Sequence, residues 1–133
     1  MTERIFPATD EALADAIAFV EEELEARDAS MKVVMQITVC VEEMFVNVAH
    51  YAYAGSQGEV TVTIDDDNGL FSITLTDEGQ PFDPLAKDDP DITLSAEERD
   101  IGGLGIFMVK KSMDEVSYER KDGKNIFVMK KEL

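Results

Sequence analysis

The sequence is poor in the residues that metal hydrolases and many nucleophilic enzymes require. Its 133 residues include one cysteine, one histidine and no tryptophan. A single cysteine, Cys40, excludes an internal disulfide, and one histidine with one cysteine supplies neither a zinc site nor a convincing Ser-His-Asp arrangement. We therefore expect Cys40 to be a small buried hydrophobe in a reducing, cytoplasmic protein.

Basic residues and long apolar runs are also scarce. Twelve Lys and Arg stand against 29 Asp and Glu, which gives a net charge of −17. This charge opposes nucleic acid and anionic membranes, so we expect neither as a direct partner. No run approaches the roughly 18 apolar residues of a membrane span. A triphosphate bound here requires a divalent cation and oriented backbone N–H groups to offset the repulsion.

The hydropathy pattern predicts one α+β domain covering residues 1–133. A helix is expected after Thr9 and Asp10, and a more apolar one from Asp28 or Ser30 to about Ala52. A polar lid over about 78–102 precedes a short helix that opens at Gly102. Strands are expected at 4–8, 60–64, 70–76, 115–119 and 125–130, with tight Asn-Gly and Asp-Gly turns inside two hairpins. This order indicates a two-layer α/β sandwich, with helices on one face of a mixed, mainly antiparallel sheet.

The second predicted helix carries polar residues at spacings that place them on one stripe: Gln36, Glu43, Asn47 and His50. Burying an unpaired carboxylate and amide is costly, so we expect this stripe to face a cavity. Glu43 has the chemistry of a proton acceptor, and the Asn47 side-chain oxygen that of a ligand for a hard cation. The alternative is that both only hydrogen-bond to neighbouring backbone.

Two glycine-bearing segments add further candidates. Asp77 ends a strand and has the chemistry to accept a hydrogen bond from an exocyclic amine, while Gly79 lets a flat ring approach the backbone. An ordinary turn explains the same residues. Gly102, Gly103 and Gly105 at a helix start form an anion site through free N–H groups. The Gly-Gly-x-Gly sequence alone is a weak signal, and the chain has no P-loop.

Together, in this order, the polar helix, the Asp-x-Gly turn and the glycine-rich helix start resemble the GHKL ATP-binding family. More narrowly, residues 43–53, 81–84, 103–105 and 113–116 are similar to those of bacterial anti-sigma-factor serine kinases of the RsbW and SpoIIAB type. The resemblance covers nearly the whole chain. It implies the Bergerat fold and a serine/threonine kinase that uses ATP and Mg²⁺, phosphorylates a STAS-type anti-sigma antagonist and binds a sigma factor. Relatives of this kind are commonly homodimers.

The resemblance also implies a role for each site residue. Asn47 would coordinate Mg²⁺, Asp77 would contact the adenine amino group, and Glu43 would be the general base on a substrate hydroxyl. Gly79 and Phe82 would shape the base pocket. The phosphates would be held around Gly102, Gly103, Leu104 and Gly105. Such a sparse set suffices because phosphoryl transfer depends mainly on positioning and charge stabilisation.

The chain departs from the kinase pattern at three places. Ile101 stands where some relatives have an arginine for the γ-phosphate, and Arg99 is the nearest replacement. Tyr51 stands where a histidine is often found, and we interpret His50 as a structural polar group. The last strand lacks the hydroxyl residue that many relatives place near the adenine. These departures keep open a nucleotide-gated binding module without kinase activity. We do not expect the ATPase half of a histidine kinase, because 133 residues leave no room for a helical dimerisation segment with its phosphoacceptor histidine, and His50 lies inside the nucleotide motif.

Overall fold

The computed structural model describes residues 1–54, 56–86 and 103–133. The strands are β1 (Thr2–Pro7), β2 (Glu59–Asp67), β3 (Leu70–Asp77), β4 (Glu115–Lys121) and β5 (Lys124–Glu132). The helices are α1 (Leu13–Glu25), α2 (Met31–Asn47) and α3 (Gly103–Ser112). The strands form one sheet in the order β1-β2-β3-β5-β4. The predicted α+β architecture is confirmed, and every strand pair among the described residues is antiparallel rather than mixed.

Two tight turns set the register of the sheet. Asn68 and Gly69 have φ of 54° and 86°, and Asp122 and Gly123 have 53° and 77°. Positive φ at both central residues is the type I′ geometry that matches strand twist, and Asn-Gly and Asp-Gly sequences adopt it readily. Both predicted hairpins are therefore confirmed. Their registers place Asp77, at the end of β3, opposite Asn125 on β5.

One face of the sheet carries the hydrophobic core. Alternate residues of β2 and β3 are buried, among them Val60, Val62, Ile73 and Leu75, while Thr61 and Thr74 between them are only partly covered. This period of two is that of a strand with one buried face. The helices supply the opposing layer, with these residues buried: Phe19, Val20, Leu24, Ile37, Val41, Met44 and Phe45. Cys40 is fully buried as expected, and burial raises the pKa of its thiol.

Helix α2 ends in a way that the sequence did not predict. Its start is as expected, because the Ser30 hydroxyl accepts a hydrogen bond from the Val33 N–H at 3.2 Å. After Asn47 the chain continues as a π-helical turn over Val48–Ala52. The Tyr53 N–H there donates to the Val48 carbonyl at 3.1 Å, which is the i to i+5 bond of a π-helix. We call this segment the π turn.

The segment Met31–Ala52 consists of α2 and the π turn. It has 22 residues, and an 18-residue window within it has a mean hydropathy of 1.3, so it could cross a membrane by length and composition alone. The core helix of a compact domain meets the same criterion. Here Ile37, Val41, Met44 and Phe45 of this segment are buried in the core, which accounts for its apolar composition.

Candidate nucleotide-binding site

Asp77 lies buried at the carboxyl end of β3, with 3% of its surface exposed. Its Oδ1 accepts hydrogen bonds from the Gly79 N–H and from Asn125 Nδ2, both at 2.9 Å. Among the described residues no donor reaches Oδ2. Burial raises the pKa of Asp77, and the Asn125 amide, the Gly79 N–H and the Arg120 charge oppose that rise. The carboxyl group is thus held in one orientation with one oxygen left to accept a further hydrogen bond.

The turn after Asp77 is fastened to the π turn. The Gln80 N–H donates to the Ala52 carbonyl at 2.8 Å, and Gln80 Nε2 donates to the Tyr51 carbonyl at 2.8 Å. A Cβ atom at Gly79 would lie 2.5 Å from the Ala52 carbonyl oxygen. A glycine is therefore required for this close backbone contact. From the sequence, Gly79 was expected either to admit a flat ring or to belong to an ordinary turn, and the contact with Ala52 was not predicted.

Phe82 belongs to the same assembly. Its ring stacks on that of Tyr51, with centroids 5.3 Å apart and an angle of 20° between the planes. Its N–H donates to Asn125 Oδ1 at 3.2 Å. The structure therefore brings Phe82 together with Asp77 and Gly79. It also gives Tyr51, where relatives often have a histidine, a packing role beside the turn.

Asn125 is a site residue that the sequence analysis missed. It is 4% exposed, and its Nδ2 donates to Asp77 Oδ1 at 2.9 Å and to the Gln80 carbonyl at 2.8 Å. Its Oδ1 accepts from the Phe82 N–H at 3.2 Å and from the Tyr118 hydroxyl at 2.5 Å. Strand register could have identified Asn125. Once β3 is paired with β5, the register of the two hairpins places Asn125 directly opposite Asp77.

Asn47 and Glu43 lie one helical turn apart on α2. Asn47 is 5% exposed, and its Nδ2 donates to Glu43 Oε1 at 3.4 Å. Within the described ranges, no donor reaches the Asn47 Oδ1. A buried amide oxygen without a partner fits a hard cation such as Mg²⁺. No cluster of three or more His, Cys, Asp or Glu suited to a metal occurs in the described part of the chain. Magnesium commonly takes its remaining ligands from phosphate and water.

The start of α3 lies against Glu43. A Cβ atom at Gly105 would lie 2.0 Å from Glu43 Oε1, so only a glycine fits without moving the carboxylate. Gly103, Leu104 and Gly105 form the first turn of α3, where backbone N–H groups have no partner within the helix. A helix start, whose N–H groups could hold an anion, and a carboxylate are thus adjacent. Arg99 and Gly102, the other predicted phosphate contacts, lie outside the described residues.

His50 does not share the stripe of Glu43 and Asn47, so that part of the prediction is wrong. Its side chain is exposed, and Nε2 lies 3.0 Å from Asp10 Oδ1. The physical reason is the π turn, because its wider winding rotates later residues away from the positions that a 3.6-residue period gives. The interpretation of His50 as a structural polar group agrees with its contact to Asp10.

The predicted residues that the structure describes, together with Asn125, form two groups. We call Asp77, Gly79, Phe82 and Asn125 the base end, and Glu43, Asn47 and Gly105 the phosphate end. The two are joined through α2 and the π turn. Within the ranges that the structure describes, the site has a buried carboxyl group with an unpaired oxygen, an unpaired amide oxygen and a glycine-rich helix start, all on an antiparallel α+β sandwich. These features define an ATP-binding domain of the GHKL class.

Comparison with known sequences identifies the family. The chain belongs to the family described as "Histidine kinase-like ATPase domain", whose sequence profile matches residues 6–131. It is 26% identical over 113 residues to the serine/threonine-protein kinase BtrW of Bordetella bronchiseptica, covering 84% of this chain and 79% of BtrW. It is also 26% identical over 106 residues to the serine-protein kinase RsbW of Listeria monocytogenes, covering 76% of this chain and 68% of RsbW.

Solved structures agree on the fold. The RsbU and RsbW domains of a Mycobacterium tuberculosis protein match with a TM-score of 0.66 at 16% identity, over 100% of this chain and 33% of that one. This chain thus spans about a third of that solved protein. A chain of the SiaB–SiaC complex of Pseudomonas aeruginosa matches with a TM-score of 0.58 at 16% identity, over 98% and 89% of the two chains.

Proposed function

We propose that this protein is a Mg²⁺-dependent serine/threonine protein kinase that transfers the γ-phosphate of ATP to a STAS-type anti-sigma antagonist. The observation that carries the proposal is the contact between the Glu43 carboxylate and Gly105. This contact supports the proposal, because a carboxylate that can accept a proton lies beside a helix start suited to phosphate. The relatives named as serine or serine/threonine kinases support the same reaction.

The base end recognises adenine. Asp77 Oδ2 accepts a hydrogen bond from the exocyclic amine, and its orientation is fixed through Oδ1 by Gly79 and Asn125. Phe82 and the Gly79 backbone border the base. The arrangement is held before the nucleotide arrives, so little ordering is needed on binding.

The phosphate end offsets the negative charge of the triphosphate. Asn47 Oδ1 would hold Mg²⁺, and the bound ion would supply positive charge to offset the negative charge of the phosphates. The N–H groups in the first turn of α3 hold phosphate oxygens. These local devices are required because a net charge of −17 repels ATP at long range. We propose that Arg99 adds a positive charge at the γ-phosphate.

Glu43 serves as the general base. The substrate hydroxyl oxygen forms a bond to the γ-phosphorus while the bond from that phosphorus to the bridging oxygen breaks, and ADP leaves. Glu43 takes the hydroxyl proton. Its hydrogen bond from Asn47 and its contact with Gly105 hold it between the two elements that position the phosphates. General-base groups of this kind contribute roughly 10²- to 10⁴-fold to the rate.

We further propose that the protein binds a sigma factor and forms a homodimer in the cytoplasm. The SiaB structure is that of a complex, which supports partner binding in this family. Strand β1 pairs only with β2 among the described strands, and its Ile5 is 59% exposed. An edge strand with an exposed apolar side chain suits a protein contact.

The reaction is tested by transfer of labelled γ-phosphate to purified STAS-type antagonists. We expect transfer by the wild type, loss in Glu43→Gln, and normal transfer in Glu42→Gln, which changes the exposed neighbour on the same helix. Mg²⁺-dependent ATP binding and nucleotide-dependent antagonist binding without any transfer would contradict the kinase and favour a nucleotide-gated binding module. Equal loss in both variants would contradict the role of Glu43.

A further inference from the structure

We infer that Asn125 makes the base end selective for 6-amino over 6-oxo purines, by holding Asp77 as an ionised carboxylate whose Oδ2 can only accept. This inference rests on the proposed nucleotide function and deepens it. Asn125 lies on the last strand, which lacks the hydroxyl residue that many relatives place near the adenine. It is a positioning residue, because it acts on the base through Asp77.

The hydrogen bonds around Asp77 and Asn125 fix which atoms donate and which accept. An amide nitrogen only donates, so the 2.9 Å contact from Asn125 Nδ2 requires Asp77 Oδ1 to accept. The Gly79 N–H also donates to Asp77 Oδ1, at 2.9 Å, so this oxygen must accept there too. The Asn125 amide cannot flip by 180°, since its Oδ1 accepts hydrogen bonds from the Phe82 N–H and the Tyr118 hydroxyl. The positions of the amide oxygen and the amide nitrogen are therefore both fixed.

These donors act against burial. Burial alone raises the pKa of Asp77 and favours the neutral acid, whereas the Asn125 and Gly79 donors stabilise the charged form. Other charged or titratable groups face the turn. Arg120 on β4 donates to the Gly79 carbonyl at 2.8 Å, Lys124 on β5 lies 4.0 Å from Glu78, and Tyr118 donates to Asn125. The π turn presents backbone carbonyls of Tyr51 and Ala52, which carry no net charge and are already hydrogen-bonded.

The protonation state of Asp77 decides which purine fits. An ionised Asp77 accepts from the 6-amino group of adenine and repels the 6-oxo oxygen of hypoxanthine. A protonated Asp77 carries its proton on Oδ2, because Oδ1 is occupied by donors, and then donates to a 6-oxo oxygen. Loss of the Asn125 donor therefore weakens the preference for ATP, and weakens it more as the pH falls.

The test compares two replacements of nearly equal shape. Asn125→Thr keeps a hydroxyl that can donate to Asp77, and Asn125→Val lacks it. Calorimetric titration gives the dissociation constants of ATP and inosine triphosphate with Mg²⁺, between about pH 6 and pH 8. We expect the ATP preference to fall by roughly tenfold or more in Asn125→Val, since a hydrogen bond to a charged group is lost. We expect the threonine variant to retain most of that preference, and the valine variant to lose more of it at low pH.

If Asn125 has only a structural role, its replacement lowers the affinities for ATP and inosine triphosphate together and leaves their ratio and the pH profile of that ratio unchanged. That result would overturn the inference, although the wild type would still bind ATP. Absence of ATP binding by the wild type overturns the proposed function itself. If the Asn125 variants do not fold, the inference can still be tested on the wild type. Carbon-13 titration of the wild-type carboxyl groups, with Asp77→Asn for assignment, should show Asp77 ionised at pH 7, and a neutral Asp77 there would overturn the inference.

Discussion

The two ends of the site are built very differently. At the base end, side chains and backbone from β3, β4, β5 and the π turn interlock around Asp77 and Asn125. At the phosphate end, the described residues contribute one long hydrogen bond, 3.4 Å between Asn47 and Glu43, and a packing contact at Gly105. The base end is part of the folded core, and most of its polar atoms are hydrogen-bonded. At the phosphate end, no donor among the described residues reaches Asn47 Oδ1. Changes at the base end should therefore alter both stability and ATP binding, whereas changes at the phosphate end should mainly alter Mg²⁺-dependent binding and phosphate transfer.

Gly105→Ala should break the phosphate end most severely. The new Cβ would lie 2.0 Å from Glu43 Oε1 and would displace the carboxylate, which is the far end of a flexible side chain. We expect phosphate transfer to fall by roughly a hundredfold or more. Thermal unfolding should show unchanged or slightly raised stability, because alanine favours a helix over glycine by up to about 1 kcal/mol. Normal transfer by this variant would show that the position of Glu43 is unimportant.

Asp77→Asn should weaken ATP binding at the base end and also change the pH dependence of stability. Asn Oδ1 still accepts from Gly79 and Asn125, but the amide donor opposes the adenine amine, so ATP affinity should fall by roughly ten- to a hundredfold. The wild-type pKa of Asp77 is raised by burial, so its contribution to stability is present below the unfolded pKa and lost as pH rises through the folded one.

The stability of Asp77→Asn relative to wild type should therefore increase from about pH 4 to pH 7. Urea unfolding at both pH values measures it. A relative stability that decreases over this range would contradict the burial of a charged Asp77.

Gly79→Ala adds the same methyl group at the base end that Gly105→Ala adds at the phosphate end. The Cβ here meets the Ala52 carbonyl oxygen at 2.5 Å, and backbone cannot yield as a side chain does. We expect the free energy of unfolding to fall by about 1–3 kcal/mol, with loss of ATP affinity. Denaturant unfolding of Gly79→Ala and Gly105→Ala under the same conditions compares their free energies of unfolding and so tests the difference between the two ends. Equal stability of the two variants would contradict the proposed difference between the ends.

Tyr53→Phe should have the smallest effect. The Tyr53 hydroxyl donates to the Glu59 carbonyl at 2.7 Å and accepts from the Glu78 N–H at 2.9 Å, so it ties the turn to β2. Its loss should cost about 1 kcal/mol of stability and weaken ATP binding slightly. Tyr51→Phe is the matched control, because the Tyr51 hydroxyl makes no hydrogen bond among the described residues while its ring keeps the Phe82 stack. The unfolding midpoint of Tyr53→Phe should be lower than that of Tyr51→Phe.

The sequence predicted the hairpins and the Ser30 cap because these depend on local residue chemistry. Asn68-Gly69 and Asp122-Gly123 favour positive φ wherever they occur. The candidate residues of both ends were identified through the order of three motifs. Asn125 was missed because its role arises from strand register, which joins residues 48 positions apart. The displacement of His50 was missed because a helical period does not reveal a π turn.

The central claim is that the two ends act together on one Mg²⁺-bound ATP. The most direct test is calorimetric titration of ATP, with and without Mg²⁺, into the wild type and Asn47→Ala. The account predicts binding by the wild type that depends on Mg²⁺, with that dependence lost in the variant because the free amide oxygen is gone. Equal binding with and without Mg²⁺, or a variant that keeps the full Mg²⁺ dependence, would contradict it.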